Sequence, residues 1–304
     1  MEGERDGRGV VTSAGLGKAR LRPSITLPDV QYGLALPIGG ACVEPRLIVE
    51  LAENAEASGW DGVFVEDYLW YQGNAAMPTC DPWGVLAVIA VRTTCVRLGF
   101  EVVALPRRRP WIVARQAATV DRLSEGRFIL GVAQGDTGDP GFTHAHETLD
   151  TRIRAERLDE GLAIIAGLWT GEPFSFHGKH FTLEEVTFLP VPAQRPRPPI
   201  WIGGGYPNRG PVDRALRWDG ACMYRRHGGH LNADDVRELR ARAQGRPWTI
   251  VVGGQPRRDD WDEERSQIEA VRDAGADWWI ESIEPGAPDE MGRAATRGPL
   301  RIET

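Results

Sequence analysis

The sequence predicts an α/β fold, a (β/α)8 TIM barrel that carries an inserted hairpin and an extended segment. Short apolar runs alternate with longer segments of helical period, which is the pattern of parallel βα units. Three helix-to-strand joints, in EASGWDGVFVE, LRWDGACMY and RDAGADWWIE, place a glycine where the helix ends. Because the same joint recurs in both halves of the 304-residue chain, one closed barrel is favoured over two unlike domains.

Eight apolar runs are the predicted barrel strands, at 31–36, 62–66, 97–105, 127–133, 199–204, 220–224, 248–254 and 277–282. Seven helices are predicted between them, at 44–57, 81–93, 110–123, 151–169, 210–218, 233–243 and 259–273. Pro82 and Pro110 stand at the start of the second and third helices, where a missing N–H is tolerated. The alternation therefore runs through the whole segment from 29 to 284.

An insertion of about 170–198 interrupts this alternation. PFSFHGKHFTL (173–183) has alternating aromatic residues around a Gly-Lys turn and predicts a β-hairpin. The five prolines of PVPAQRPRPP (190–199) require an extended backbone. We therefore expect a flexible N-terminal tail over 1–28, a barrel over 29–284 with the insertion outside its wall, and a C-terminal extension over 285–304.

Composition disfavours several classes of partner. The net charge of −7 argues against nucleic acid, because binding a phosphate backbone requires a basic face. The longest apolar run, GVLAVIAV, has eight residues, whereas a membrane span needs about 20. Four dispersed cysteines and the lack of an apolar leader favour a reducing, cytoplasmic location.

The glycine run from Gly203 to Gly205 follows the fifth predicted strand and leads through Asn208 into a helix. In barrels of this type, the loops after the strands gather at the face that carries the active site. Backbone N–H groups without Cβ atoms, together with a helix N-terminus, predict an anion cradle at this turn. An ordinary tight βα turn is the equally weighted alternative.

Charged and metal-binding residue types after other strands are further candidates. Glu66 and Asp67 point in opposite directions by strand alternation, so one of them is expected at the barrel mouth. A buried carboxyl there is a candidate general acid or base, and a salt-bridged structural acid is the alternative. The run 107–109 is either solvated or anion-facing. Because the spacing of Cys222, His227 and His230 fits no zinc pattern, no metal is expected.

Residues 81–136, which include RLGFEVVALP and LSEGRFILGVAQGD, resemble the luciferase-like flavin monooxygenase family. Further similarity lies in ERLDEGLAIIAGLWTGEPFSFHGKHFTL and in PPIWIGGGYPNRG followed by WDGA. The resemblance covers roughly residues 30–284. It implies a (β/α)8 barrel that binds reduced FMN or the deazaflavin coenzyme F420 at the carboxyl ends of the strands.

The resemblance also implies which residues hold the cofactor. Its phosphate contacts fall on the turns after the fourth and fifth barrel strands, and a non-proline cis peptide lies under the flavin ring. The residues at these positions are Gln134, Gly135, Gly204, Gly205, Tyr206 and Arg209 for the turns, and Glu101 and Val102 for the cis peptide.

The resulting hypothesis is a monooxygenase or oxidoreductase in which a reduced flavin reacts with O2 and a small organic substrate. Asp67, Tyr68 and His227 are the candidate catalytic residues, and Trp70 and Trp111 are candidate pocket walls. A flavin reductase is a possible partner, and family members are often dimers. One alternative is F420-dependent hydride transfer, although Asp67-Tyr68 stands where many such enzymes have Asp-His. A second alternative is a non-catalytic flavin-binding barrel.

Overall fold

The computed structural model describes residues 30–41, 43–71, 74–226 and 229–302. Its strands are β1 (Gln31–Leu36), β2 (Gly62–Val65), β3 (Arg97–Phe100), β4 (Val103–Ala104), β5 (Phe128–Ala133), β6 (Pro173–His177), β7 (Thr182–Thr187), β8 (Ile200–Tyr206), β9 (Gly220–Arg225), β10 (Thr249–Gln255) and β11 (Trp278–Ser282). Its helices are η1 (Leu105–Arg107), a short 3-10 turn, and α1 (Pro45–Ala57), α2 (Pro82–Arg92), α3 (Pro110–Leu123), α4 (Pro140–Thr143), α5 (Thr151–Leu168), α6 (Arg209–Ala215), α7 (Ala233–Arg242), α8 (Trp261–Asp273) and α9 (Pro288–Thr296).

The parallel strands close into a barrel. They follow the order β3-β2-β1-β11-β10-β9-β8-β5-β4, and a further β3–β5 pairing joins the two ends of this sheet. Because β3 and β4 are two halves of one interrupted strand, the barrel has eight strand positions with helices packed outside. The predicted (β/α)8 fold is therefore confirmed.

The third barrel strand is interrupted at Glu101 and Val102, where the sequence predicts one continuous strand over 97–105. The peptide bond between these two residues is cis, as the family resemblance implies. β3 pairs with β2 and β5 before the interruption, and β4 pairs with β5 after it. The interruption frees the Glu101 side chain from the regular alternation of the strand.

Two helices lie where none is expected. The short helix α4 begins at Pro140, with the Asp139 side chain accepting a 2.7 Å hydrogen bond from the Gly141 amide. Helix α9 lies within 285–304 and buries Met291 and Ala295. The Ala295 carbonyl accepts a 3.0 Å hydrogen bond from the indole of Trp60, which fixes α9 beside α1.

Bulky side chains fill the amino-terminal half of the barrel lumen. Phe64, Trp201 and Trp278 are buried and pack with ring centroids 5.5 to 5.7 Å apart. Glycines make room for these rings: a Cβ on Gly62 would lie 2.8 Å from the Trp278 ring, and one on Gly220 would lie 2.8 Å from that of Trp201. The lumen is therefore a packed core at this end.

The insertion lies outside the barrel wall as a β6–β7 hairpin followed by an irregular proline-rich segment. The Glu160 carboxylate on α5 accepts hydrogen bonds from the backbone amides of Lys179, His180 and Phe181, at 2.8 to 3.0 Å. The proline-rich segment is held by buried Asp121 through the backbone amides of residues 193 and 194. Two carboxylates thus attach the insertion to the helix layer.

Candidate functional site

A pocket of about 570 Å³ opens at the carboxyl ends of the barrel strands. It brings together eight of the sequence-predicted site residues, namely Asp67, Tyr68, Glu101, Val102, Gln134, Gly135, Gly204 and Gly205. The volume lies within the range of small-molecule and cofactor sites, about 300 to 1,000 Å³. The pocket is therefore the candidate active site.

The space exists because β5 and β8 present almost no side chains to the upper lumen. Ile129 and Trp201 fill the lower lumen, but the next inward positions on these two strands carry Gly131 and Ala133, and Gly203 and Gly205. A Cβ on Gly203 would lie 3.2 Å from a Val102 methyl group and 3.3 Å from the Ala133 Cβ. A larger side chain at 203 would therefore press on Val102 and Ala133 and reduce the space at this wall.

Glu101 lines the pocket. Its side chain leaves the interruption in the third barrel strand, and its Oε1 accepts a 3.2 Å hydrogen bond from the Cys222 thiol on β9. Its Oε2 is buried and has no hydrogen-bond partner. Burial raises the pKa of Glu101 to about 7, and the nearby Glu66 carboxylate adds to the effect. The pocket lining therefore includes a carboxyl whose second oxygen is buried without a partner and whose pKa is raised towards neutral pH.

Glu66 and Tyr68 form a second polar pair on the pocket wall. The Tyr68 hydroxyl donates a 2.7 Å hydrogen bond to Glu66 Oε1. Burial raises the pKa of Glu66, and burial together with the adjacent carboxylate raises the pKa of Tyr68. This hydrogen bond holds the phenol at a defined place in the wall.

Glu66 and Asp67 both line the pocket, and the Asp67 carboxylate is fully engaged. It accepts hydrogen bonds from Arg108 Nε at 2.9 Å and from the Ala104 amide at 3.2 Å, and Arg107 lies 3.4 Å away. Its side chain is not exposed to solvent. The salt-bridged alternative therefore describes Asp67, which anchors the loop after β4.

The arginine run is structural in its first two members. The Arg107 side chain is 1% exposed and pairs with Asp139. Its Cζ lies 5.5 Å from the centroid of the Phe142 ring. The expectation of a solvated or anion-facing residue is therefore wrong for Arg107, because neighbouring aspartates draw it into the interior. Arg108 is neutralised by Asp67.

The glycine turn after β8 lies at the pocket edge. A Cβ on Gly205 would lie 2.9 Å from Arg226 Cγ and 3.3 Å from Asn208 Nδ2. Arg226 donates a 3.4 Å hydrogen bond to the Asn208 side chain and forms no ion pair within the described part of the chain. Since α6 has only seven residues, the helix that follows this turn is shorter than the predicted 210–218 and its dipole is correspondingly small.

Two predicted cofactor-binding side chains lie outside the pocket. Tyr206 is buried under the helix layer and donates a 2.6 Å hydrogen bond to Glu238, because alternation along β8 turns it away from Gly205. The Arg209 side chain is 90% exposed and pairs with Asp213 at 3.0 Å. Gln134 lines the pocket, and its amide donates to the Thr151 carbonyl at 2.7 Å.

The remaining candidates occupy other positions. His227 lies outside the described residues. Trp111 contacts Phe181 of the insertion, with ring centroids 6.1 Å apart, and Trp70 stacks loosely with His144 at 6.3 Å. Neither tryptophan lines the pocket. Within residues 30–302, apart from the undescribed positions, no cluster of three metal-ligating side chains exists and no helix is long and apolar enough to cross a membrane.

The sequence pattern missed two groups of chemical interest. Glu101 is identified there only through the cis peptide, and the free oxygen of its carboxyl follows from the path of its side chain towards β9. Sequence alone does not distinguish Arg226 from Arg225, because the two stand side by side at the end of β9. The structure separates the two, because Arg225 pairs with Asp235 at 2.9 Å and Arg226 lies beside the glycine turn.

Known proteins share this sequence and fold. The F420-dependent glucose-6-phosphate dehydrogenase of Nakamurella multipartita is 32% identical over 189 residues, which are 60% of this chain and 53% of that protein. The chain thus spans about half the length of the curated relatives with this name. An uncharacterized Mycobacterium tuberculosis protein is 30% identical over 214 residues, 64% of this chain and 69% of that protein.

Solved structures show the same fold. The monooxygenase RslO1 from Streptomyces bottropensis superposes with a TM-score of 0.72 at 21% identity, covering 88% of this chain and 96% of that one. An F420-dependent secondary alcohol dehydrogenase in complex with an F420-acetone adduct gives 0.70 at 17% identity, with 88% and 99% covered. The family model described as luciferase-like monooxygenase matches residues 26–276. Since this match covers most of the sequence, the chain belongs to the luciferase-like monooxygenase family.

Proposed function

We propose that the chain is an oxidoreductase that binds reduced FMN or coenzyme F420 in the pocket and acts on a small organic substrate. The observation that carries this proposal is the bare wall of glycine and alanine on β5 and β8, which leaves about 570 Å³ at the carboxyl ends of the strands. A flat, side-chain-free wall suits a planar ring system, and the glycine turn at its edge suits a phosphate.

The residues present fit such a cofactor. Gly203 to Gly205 offer backbone amides at the pocket edge, and Arg226 adds a positive charge that no carboxylate neutralises in the described structure. Gln134 and Gly135 follow the neighbouring strand β5, and Val102 lies next to Gly203 on the same wall. When bound, the cofactor supplies the electron pair for the reaction.

The other pocket residues bind and orient. Tyr68, held by Glu66, offers a hydroxyl from a fixed position on the wall. The ion pairs of Asp67 with Arg107 and Arg108 keep the loop after β4 in place beneath this wall. In this proposal Asp67 is a positioning residue, because both of its oxygens are already engaged.

Two forms of the activity are open. The family name favours a reduced flavin with O2, whereas the curated relatives named as F420-dependent favour hydride transfer with the deazaflavin. Anaerobic titration of the purified protein with reduced FMN and with reduced F420, followed by calorimetry, separates them. We expect one cofactor to bind with a Kd of about micromolar and the other to bind at least about tenfold more weakly. Binding of neither would refute the proposal.

Catalysis is tested separately from binding. A non-catalytic flavin-binding barrel would hold a cofactor but would not reoxidise it faster than the same cofactor free in solution. We expect the protein to accelerate reoxidation by O2 or by an organic acceptor. Retention of the cofactor without any acceleration would support the non-catalytic alternative.

We propose a homodimer through α2 and α3. Helix α2 is apolar on nearly all sides, and its Val88 and Val91 are 46% and 58% exposed, while Ile112 of α3 is 52% exposed. Uncovered apolar side chains on neighbouring helices suit a second copy of the chain. Analytical ultracentrifugation of the wild-type protein and of Val91→Glu tests this.

The proposal also includes a reductase that supplies reduced FMN. It further includes a cytoplasmic location, which suits the free thiols of Cys80, Cys95 and Cys222.

A further inference from the structure

We propose that Glu101 is the acid–base residue of the pocket and that Cys222 positions its carboxyl. This inference rests on the proposed function, because the reaction must be a redox step that also moves a proton. It assigns a chemical role to a side chain that the sequence pattern connects only with the cis peptide.

The Glu101 side chain extends from the third barrel strand into the lumen and reaches Cys222 on β9. The residue belongs to the third barrel strand, whereas its hydrogen-bond partner Cys222 lies on β9, on the far side of the ring of strands. A Cβ on Gly254 of β10 would lie 3.2 Å from Glu101 Oε1. The carboxyl therefore lies close to both β9 and β10.

The thiol fixes which oxygen carries the proton. Burial and the neighbouring Glu101 carboxyl raise the pKa of Cys222, so the thiol stays protonated and donates to Oε1. Oε2 is buried without any partner in the described structure, and the proton of the neutral acid is therefore assigned to it. A buried hydroxyl without a partner gains a hydrogen bond when rotation of the carboxyl turns it towards a molecule bound in the pocket.

The groups around Glu101 determine its pKa, which lies near neutral pH. Cys222 approaches from β9, and Glu66, with Tyr68 bonded to it, approaches from the end of β2. The pocket-lining residues of β5, β8 and β10 nearest the cavity are glycine or alanine, apart from Gln255 at the end of β10. Among the described residues, a carboxylate and a thiol act on the pKa of Glu101, and no cation does.

Reduction of a carbonyl in the pocket requires one proton as well as one hydride. When a substrate carbonyl is reduced, its carbon gains a hydride from the reduced cofactor and the C=O π electrons move to oxygen. Glu101 gives its proton to that oxygen, its O–H bond breaks, and the resulting carboxylate regains a proton from solvent through the open mouth. In the oxidation direction the carboxylate accepts the hydroxyl proton.

The test compares wild type, Glu101→Gln, Cys222→Ala and Cys222→Ser, with Glu264→Gln as a matched control. Glu264 is a buried carboxyl with a raised pKa that lies outside the pocket. The first readout uses cofactor-free protein: the infrared band of a protonated carboxyl, followed from pH 5 to 9. We expect a component that disappears near pH 7 in the wild type and in Glu264→Gln, and that is missing in Glu101→Gln.

The second readout is the cofactor affinity of each variant. The third readout is the rate of menadione reduction as a function of pH, measured on the protein with its reduced cofactor. We expect Glu101→Gln to bind the cofactor within about threefold of wild type and to reduce menadione at least about 100-fold more slowly, because general acids contribute about 10² to 10⁴. The wild-type rate should fall above pH 7, and Glu101→Gln should lack this limb. Cys222→Ala should move the midpoint upward, because the thiol hydrogen bond lowers the pKa of Glu101, and Cys222→Ser should restore it.

Two results would overturn the inference: a wild-type carboxyl band that does not titrate near pH 7, or a Glu101→Gln variant with the wild-type rate and pH profile. If Glu101→Gln does not fold, the shift in Cys222→Ala decides, and an unchanged midpoint there overturns the inference. Failure of the proposed function is seen differently, as a wild-type protein that binds neither cofactor, and it removes the inference as well.

Discussion

Glu281 of β11 and Arg257 form a two-point ion pair in the protein interior, with Arg257 Nε 2.9 Å from Oε2 and Nη2 2.8 Å from Oε1. Both side chains are at most 2% exposed, and Arg297 adds a third contact at 3.0 Å. This buried carboxylate has cationic partners for both oxygens, whereas Glu101 has none. Glu281 is thus suited to stability, and Glu101 is suited to chemistry.

The first prediction concerns this ion pair. Arg257→Met removes both hydrogen bonds and leaves Glu281 with Arg297 alone, so we expect the free energy of unfolding to fall by about 3 to 5 kcal/mol. Urea unfolding measures the loss. Arg265→Met, which breaks an exposed pair with Asp262, is the control and should cost about 1 kcal/mol or less. Equal effects of the two substitutions would contradict the structural role given to Arg257.

The second prediction uses the pKa of Glu101 in the cofactor-free protein. The folded-state pKa is raised from 4.5 to about 7, so between these pH values the unfolded chain loses a proton that the folded chain keeps. Wild-type stability should therefore fall as pH rises through this window, by up to about 3 kcal/mol relative to Glu101→Gln. Urea unfolding of both proteins at pH 5 and pH 8 checks this. A stability difference that is the same at both pH values would be inconsistent with a buried, titrating Glu101.

The third prediction tests the bare wall. Gly203→Val places a branched side chain against Val102 and Ala133, so we expect cofactor affinity to fall at least about tenfold, or about 1.4 kcal/mol. Gly210→Ala is the control, because a Cβ at that position has no heavy atom within 4 Å. Its affinity should equal that of the wild type. If Gly203→Val folds and binds the cofactor normally, the ring system lies elsewhere.

The fourth prediction distinguishes two arginines near the glycine turn. The family resemblance assigns the phosphate contact to Arg209, whereas the structure pairs that side chain with Asp213 and leaves Arg226 without a carboxylate partner among the described residues. We expect Arg226→Gln to weaken cofactor binding by about 1.5 to 3 kcal/mol and to reduce its salt dependence. Calorimetry of Arg226→Gln and Arg209→Gln at two salt concentrations compares them. A larger loss in Arg209→Gln would favour the sequence-based assignment.

Sequence periodicity predicted the barrel because βα units repeat the same local pattern. The helix over 110–123 and the strand over 31–36 have the predicted bounds, since each depends on its own residues. The bounds of α6 could not be predicted in this way. The helix ends at Ala215, because the residues between it and the start of β9 at Gly220 form turns and not a last helical turn. Local patterns are sufficient for elements of this kind but not for contacts between them.

The site was predicted in outline and missed in its side chains. The glycine motifs lie in the pocket lining, which also contains both Glu66 and Asp67. The reach of Glu101 towards Cys222 depends on the interrupted strand and on how the barrel closes, and these are long-range properties. Arg107 is buried because Asp67 and Asp139 surround it, which no spacing along the chain reveals.

The most direct test of the central claim is a crystal structure of the protein with its bound cofactor, either FMN or F420. We predict that the phosphate lies against the amides of residues 203–205 beside Arg226, with the ring system against the glycine and alanine wall of β5 and β8 and above Glu101. A cofactor phosphate bound elsewhere, with the cavity beside this wall still empty, would contradict it.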